Sequence, residues 1–139
     1  MQNYFETDYV TIGYDKDNHI IVHRWIVAPT SAELREGANM TISAMKQFKT
    51  GKIVWDTRNM GTLHPDDQHW AATEYYNNAR KAGYSQAAFI IPSDIFTQMS
   101  IENTMSQVES IFLSAYFDNM ESAEEWMKQA GKPVNGPAR

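Results

Sequence analysis

KIVWDTRNMGTLHPDDQHW, running from Lys52 to Trp70, is the stretch that decides the fold. Ile53, Val54 and Trp55 form a short continuous apolar run, the pattern of a strand covered on both faces by helices. Asp56 marks the carboxyl end of that strand. Beyond a polar loop, Pro65 stands where a helix begins, because its missing N–H is one that a first turn leaves unpaired anyway. Asp66 and Asp67 complement the positive end of the same helix. A strand that hands over to a helix in this way is half of a βαβ unit. In open α/β sheets, ligands and partners bind in the crevice beyond the carboxyl ends of the strands. The stretch from Asp56 to Trp70 is therefore the first place to seek function.

Upstream, Tyr4 to Tyr14 and His19 to Ala28 are rich in β-branched and aromatic residues, and Asp15-Lys16-Asp17-Asn18 supplies turn chemistry, which predicts a β-hairpin. Alternation places Ile20, Val22, Arg24 and Ile26 on one face of the second strand and Ile21, His23, Trp25 and Val27 on the other. Arg24 breaks the first face, so it belongs near an edge or snorkels. Thr30 and Glu33 form a capping box, after which Leu34, Ala38, Thr41, Ile42, Met45 and Phe48 recur at helical spacing. Gly51 is expected to end that helix in the left-handed conformation.

Downstream, Ala72, Tyr75, Tyr76, Ala79 and Ala82 give the helix after Pro65 its apolar stripe, and Gly83 closes it. Tyr75 and Tyr76 are adjacent and cannot both point straight inward, so one is expected at a rim. Ala87 to Ile91 is a short buried strand stopped by Pro92, and Ser93 is expected to cap a helix with Ile101, Met105, Val108 and Phe112 on one face. Ile111 to Phe117 fits either the last turns of that helix or a final strand, and a strand ending at Phe117 is preferred. Asp118 or Asn119 then caps a last helix docked by Ala123, Trp126 and Met127. The order is ββαβαβα(β)α, a single domain over residues 1–130 with a flexible tail at 131–139.

A chain of 139 residues fits one domain that buries roughly two thirds of its unfolded surface. A net charge of −5 without a basic stripe argues against nucleic acid and against anionic membrane surfaces. The absence of cysteine removes disulfides, thiol catalysis and thiolate metal sites. The amino terminus has neither a basic nor an apolar signal region, and no apolar run approaches the ~18 residues of a membrane helix, so a cytoplasmic protein without membrane insertion is expected.

From Tyr14 to Met127 the chain resembles the STAS family, the sulfate-transporter and anti-sigma-factor-antagonist domains with the SpoIIAA-like fold. More narrowly, it is similar to bacterial STAS/SEC14-like proteins of unknown function. The resemblance rests on the WDTRNM segment, on Pro65-Asp66-Asp67-Gln68-His69-Trp70, on Ala88-Phe89-Ile90-Ile91-Pro92 and on Phe117 to Trp126. It implies a mixed, mostly parallel sheet with an N-terminal hairpin and about four flanking helices. Anti-sigma-factor antagonists carry a phosphorylatable serine at the start of the helix after this strand. Here that place reads Leu63-His64-Pro65-Asp66-Asp67, with no serine, and Asp66 is the residue that could present a permanent negative charge.

Asp56, Arg58 and Thr62 are the leading site candidates, since an arginine beside hydroxyl donors can hold a carboxylate or phosphate. The competing assignment has Asp56 accepting from loop amides while Arg58 pairs with it. His64 and His69 lie five residues apart, on different helix faces, and lack a third ligand, so no metal site follows. Ser93 has no nucleophile elbow around it, and glycine-rich phosphate loops are lacking. No cofactor is implied and no enzyme is expected. The resemblance implies a regulatory or protein-interaction module, self-associating as a homodimer or binding another protein. Arg58 and Asp66 would be its polar contacts, and Trp70 or Tyr75 its apolar anchors. The alternative is a binding protein for an apolar small molecule or lipid held between sheet and helices, which calls for a preformed cavity of roughly 300 Å³ or more.

Overall fold

The computed structural model describes residues 1–108 and 112–129. The strands are β1 (Gln2–Glu6), β2 (Val10–Asp15), β3 (Ile20–Trp25), β4 (Lys52–Asp56), β5 (Gln86–Ile90) and β6 (Leu113–Phe117). Helix α1 is Ser31–Phe48. Helix α2 runs through Pro65–Trp70, widens into a π-helical turn at Ala71–Tyr75 and resumes as Tyr76–Lys81. Helices α3 (Ile95–Ser106) and α4 (Met120–Lys128) follow β5 and β6. All six strands form one sheet in sequence order, antiparallel from β1 to β3 and parallel from β3 to β6. The α/β class and the mixed sheet agree with the sequence pattern, and β6 resolves the choice at Leu113–Phe117 in favour of a strand. The tail expected at 131–139 lies outside the described residues.

The first expected strand, Tyr4 to Tyr14, is two strands. Thr7 breaks it: its hydroxyl accepts from the Tyr9 and Val10 amides at 3.1 Å each, and its own N–H donates to the Val10 carbonyl at 2.9 Å. The hairpin thereby becomes a three-stranded meander. The expected turn between β2 and β3 stands, because Asp15 accepts from the Asp17 and Asn18 amides at 3.1 and 3.3 Å.

Helix α1 starts on the expected capping box, with the Glu33 N–H donating to the Thr30 hydroxyl at 3.2 Å and the Thr30 N–H donating to the Glu33 carboxylate at 3.0 Å. Its end differs from expectation. Lys49, at φ 56°, takes the left-handed position expected of Gly51. Gly51 is required for another reason: a Cβ there would lie 1.9 Å from the Gly83 carbonyl oxygen, where the β4 approach passes the end of α2. Gly83, at φ 103°, closes α2 as expected. At α3 the cap is Asp94, not Ser93, and its carboxylate accepts from the Phe96 and Thr97 amides. Asn119 caps α4.

Because consecutive crossovers step one strand at a time, α1, α2 and α3 pack on one face with Ile21, Trp25, Ile53, Trp55, Ala87 and Phe89. Among the described residues, helix α4 is the one element that covers the other face, where Ala123 and Met127 meet Ile20, Val22, Val54, Ala88 and Ile90. Helix α2 lies between two neighbours, so its buried arc is wider than a single stripe. Tyr75 and Tyr76 are 2% and 6% exposed, and neither reaches a rim. Tyr75 turns toward Trp55 and Trp70, Tyr76 toward Tyr84 and Phe112, and the wide turn before them brings adjacent side chains closer in angle than the ~100° step of an α-helix. No described helix is long and apolar enough to cross a membrane.

Candidate functional site

The carboxyl rim of the sheet is organised by one carboxylate. Asp56 ends β4 beside its register partner Arg24 on β3, and the Arg24 Nε donates to Asp56 Oδ2 at 3.1 Å. From the loop, Arg58 donates its backbone N–H and its Nε to Oδ1 at 3.2 and 3.0 Å, and an Nη to Oδ2 at 2.8 Å. Burial by itself would raise the Asp56 pKa, but the hydrogen bonds from Arg58 and Arg24 outweigh it and hold the carboxyl below its usual range. The ion pair likewise raises the Arg58 pKa. Asp56 is thus fully engaged, as the competing assignment had it, and is a poor base. The two guanidinium side chains stay 44% and 43% exposed, so one buried negative charge organises two outward-facing positive ones. That arrangement presents N–H donors to an incoming carboxylate or phosphate.

The six candidate residues do not converge. Arg58 lines an open groove with Ser93, Gln98, Tyr116 and Asp118. Thr62 lines a different depression, an outer pocket of about 190 Å³ with Ser31, His64 and Asp67, and its hydroxyl lies 3.5 Å from that of Thr97. Asp66 is exposed in the first turn of α2. Trp70 and Tyr75 are buried and cannot serve as surface anchors, because α2 turns both into an inner cavity of about 70 Å³. That volume falls well short of the ~300 Å³ of ordinary ligand pockets.

A cross-strand aromatic row runs under the helices, and its two middle members, Trp55 and Phe89, line the inner cavity. His23, Trp55, Phe89 and Tyr116 are register partners on β3 to β6, with ring centroids 4.6, 6.4 and 5.6 Å apart along the row. Trp25, Trp70, Tyr75 and Tyr76 form the walls, and Leu34, Met60 and Leu63 separate the cavity from the outer pocket. The Trp55 indole N–H donates to the Tyr84 hydroxyl at 2.8 Å. The Tyr75 hydroxyl is buried with no hydrogen-bond partner, and burial raises its pKa well above the ordinary value. His23 is fully buried, with its Nδ1 2.6 Å from the Thr41 hydroxyl, and burial pushes its pKa down to about 3.

Two features of the site escaped the sequence pattern. Asp67 is buried: Oδ2 accepts from the Ser31 hydroxyl at 2.8 Å, while Oδ1 has no hydrogen bond and an Arg35 Nη at 3.7 Å. The Arg35 guanidinium also stacks over the Trp70 ring at 5.2 Å. The second feature is an exposed apolar patch on the first turns of α3, where Phe96 and Met99 are 68% and 56% exposed beside Ile95. Helical spacing places these three roughly opposite Ile101 and Thr104, so the signal was present as a second apolar stripe on the same helix. Among the described residues, no three His, Asp or Glu side chains come together as metal ligands.

The protein is an α/β domain with a six-stranded mixed sheet and a charged carboxyl rim. Comparison with known proteins found no matching family model, no matching curated protein and no matching solved structure.

Proposed function

We propose that the protein is a non-catalytic regulatory or protein-interaction module that engages a partner through the carboxyl rim of its sheet, as the resemblance to STAS domains implies. The observation that carries this reading is the juxtaposition, on one rim, of exposed apolar side chains with a pair of outward-facing guanidinium groups. Ile26 and Val27 are exposed where the chain leaves β3, and Ile95, Phe96 and Met99 where α3 begins. The loop after β4 joins the two: a Cβ on Gly61 would lie 3.4 Å from the Ala28 Cβ, and Thr62 meets Thr97. Arg58 shares its groove with Ser93 and Gln98 at the same end of α3.

Solvent-exposed Phe, Ile and Met grouped around charged residues have the composition of an interface core with its polar rim. Arg24 and Arg58 leave an excess of positive charge around Asp56 in a chain whose net charge is −5. The partner that suits this surface is a protein presenting an acidic side chain next to apolar ones. A nearly filled interior also favours a surface role over a lipid-holding one. The module carries no serine for the phosphorylation switch of anti-sigma-factor antagonists, so Asp66 or another constitutive feature takes that place in the proposal.

The test uses three forms of the full chain: wild type, Phe96→Asp/Met99→Asp and Arg58→Ala, each checked for an unchanged melting curve. Partners retained by wild type are identified, purified and titrated back, while sedimentation velocity reports self-association. One purified partner should bind wild type and lose at least about 100-fold affinity for the double variant. Arg58→Ala should mainly slow association and flatten its salt dependence. Equal binding by all three forms, self-association in place of a heteromeric partner, or no protein partner at all would each reject this assignment.

A further inference from the structure

We infer that the inner cavity and the outer pocket form one binding site for a small uncharged ring compound carrying a hydrogen-bonding group at each end. This site is separate from the partner surface proposed above, and only the loop after β4 contributes to both. The two spaces, about 70 and 190 Å³, share Leu34, Met60 and Leu63 as a common wall, so only side chains divide them. Met60 is the movable part, since an unbranched thioether changes rotamer readily and sits in the loop whose turn is made by Gly61 at φ 78°. Together the spaces approach the lower end of ordinary small-ligand sites, ~300 Å³.

Each space is also lined by a residue with one buried oxygen that makes no hydrogen bond. Buried side-chain oxygens without partners are rare in native proteins, and each requires an explanation. Two of them belong to residues that line these spaces: the hydroxyl of Tyr75, which lines the inner cavity, and Oδ1 of Asp67, which lines the outer pocket. Tyr75 also closes the π-helical turn of α2, a departure from α-geometry that recurs at functional sites.

The walls select the body of the ligand. Trp25, Trp55, Trp70 and Phe89 offer flat apolar surfaces, which suit a ring better than a branched aliphatic group. The inner hydroxyls of Thr57 and Thr104 already donate to the Ile90 and Ser100 carbonyls at 2.8 and 2.7 Å, whereas the Tyr75 hydroxyl has no partner and is available as a donor. Asp67 Oδ1 is an acceptor, so the outer end of the ligand must bring an O–H or N–H. Arg35, 3.7 Å from that oxygen, disfavours a cationic head group there.

The probe is 4-hydroxybenzyl alcohol, with p-cresol as the analogue that lacks the outer hydroxyl. Both are titrated into full-length protein labelled with [methyl-¹³C]methionine, and the Met60 and Met105 methyl signals are followed because both side chains line the inner cavity. The expected result is saturable shifts at these methyls, with p-cresol binding about tenfold more weakly than 4-hydroxybenzyl alcohol. Tyr75→Phe should weaken both ligands by about the same factor. The ligand comparison needs no mutation at Asp67, so misfolding cannot obscure it. Absence of saturable shifts up to about 10 mM would overturn the inference. Loss of either discrimination, between the two ligands or between wild type and Tyr75→Phe, would overturn it equally.

Discussion

His23 makes stability fall with acid from about pH 6.5, well above the pH at which ordinary carboxylates begin to titrate. The imidazole is fully buried between the Trp25 and Trp55 rings, with centroids 4.5 and 4.6 Å away. Its pKa drops from 6.5 to about 3 through desolvation. A folded-state pKa below the unfolded one means that the neutral form is the one folding favours. The contribution is therefore complete above pH 6.5 and is lost as pH falls from there toward 3. Each pH unit inside the window costs up to about 1.4 kcal/mol, so pH 5 should cost about 2 kcal/mol relative to pH 8. Asp56 does not interfere, because its lowered pKa confines its loss to pH values below 3.8. The other three of the four histidines, His19, His64 and His69, are exposed. Urea unfolding followed by tryptophan fluorescence from pH 8 to pH 5 should show a midpoint falling by about 1 M at constant slope. In His23→Phe the ring still fills the space and the Thr41 hydroxyl can turn to its own helix carbonyl, so absolute stability shifts while the pH dependence flattens. A wild-type midpoint that stays level across this range, or an equal fall in His23→Phe, would refute the buried-imidazole account.

Four further outcomes follow from single residues. Gly51→Ala puts a Cβ 1.9 Å from the Gly83 carbonyl oxygen, where only backbone could yield, and should cost about 3 kcal/mol in a melting experiment. Gly83→Ala, with no atom within 4 Å but φ 103°, should cost only the smaller backbone strain of about 1–2 kcal/mol. Thr30→Ala removes half of the α1 capping box and should lower stability by about 1 kcal/mol, read by urea titration. Tyr75→Phe deletes a buried hydroxyl that has no partner and should raise stability by about 1 kcal/mol in the unliganded protein; a loss would reveal a hydrogen bond to that oxygen.

What the sequence disclosed followed from local physics. The Ile53 to Trp55 run, the Thr30/Glu33 box, Pro65 at a helix start and the Gly83 stop are decided within a few residues, and each holds in the structure. What it concealed depended on distant chain. The need for Gly51 arises from Gly83, thirty-odd positions away, and not from its own helix. Tyr75 and Tyr76 are both buried because α2 has neighbours on two sides, which a one-stripe pattern does not encode. At the site, Arg58 beside Asp56 is a two-residue relation and was legible, whereas Arg24 joins them only through the β3–β4 register. Asp67 looked like Asp66, a dipole partner in a first turn, until Ser31 and Arg35 of α1 closed over it.

The strand order also constrains where function can reside. In doubly wound sheets, crossovers that diverge to opposite faces open a crevice between them. Here the order from β1 to β6 is sequential and the three crossover helices share one face, so no such divergence exists. That leaves two kinds of place: the outer surface of the rim, and the space between sheet and helices. The loop after β4 belongs to both. Its Arg58 presents the rim charge, while its Met60 and Leu63 wall the inner cavity three and six positions after Thr57, the residue that anchors the loop to the Ile90 carbonyl. An occupant that displaces Met60 acts on a segment fixed at Thr57 and turning at Gly61, and so on the arm that carries Arg58. Thermodynamic reciprocity then applies to the two proposals: to whatever extent a cavity ligand changes partner affinity, the partner changes ligand affinity by the same factor. Measuring the cavity probe with and without the purified rim partner supplies that factor, and a value of one would mean that the loop bends between Arg58 and Met60 without transmitting displacement.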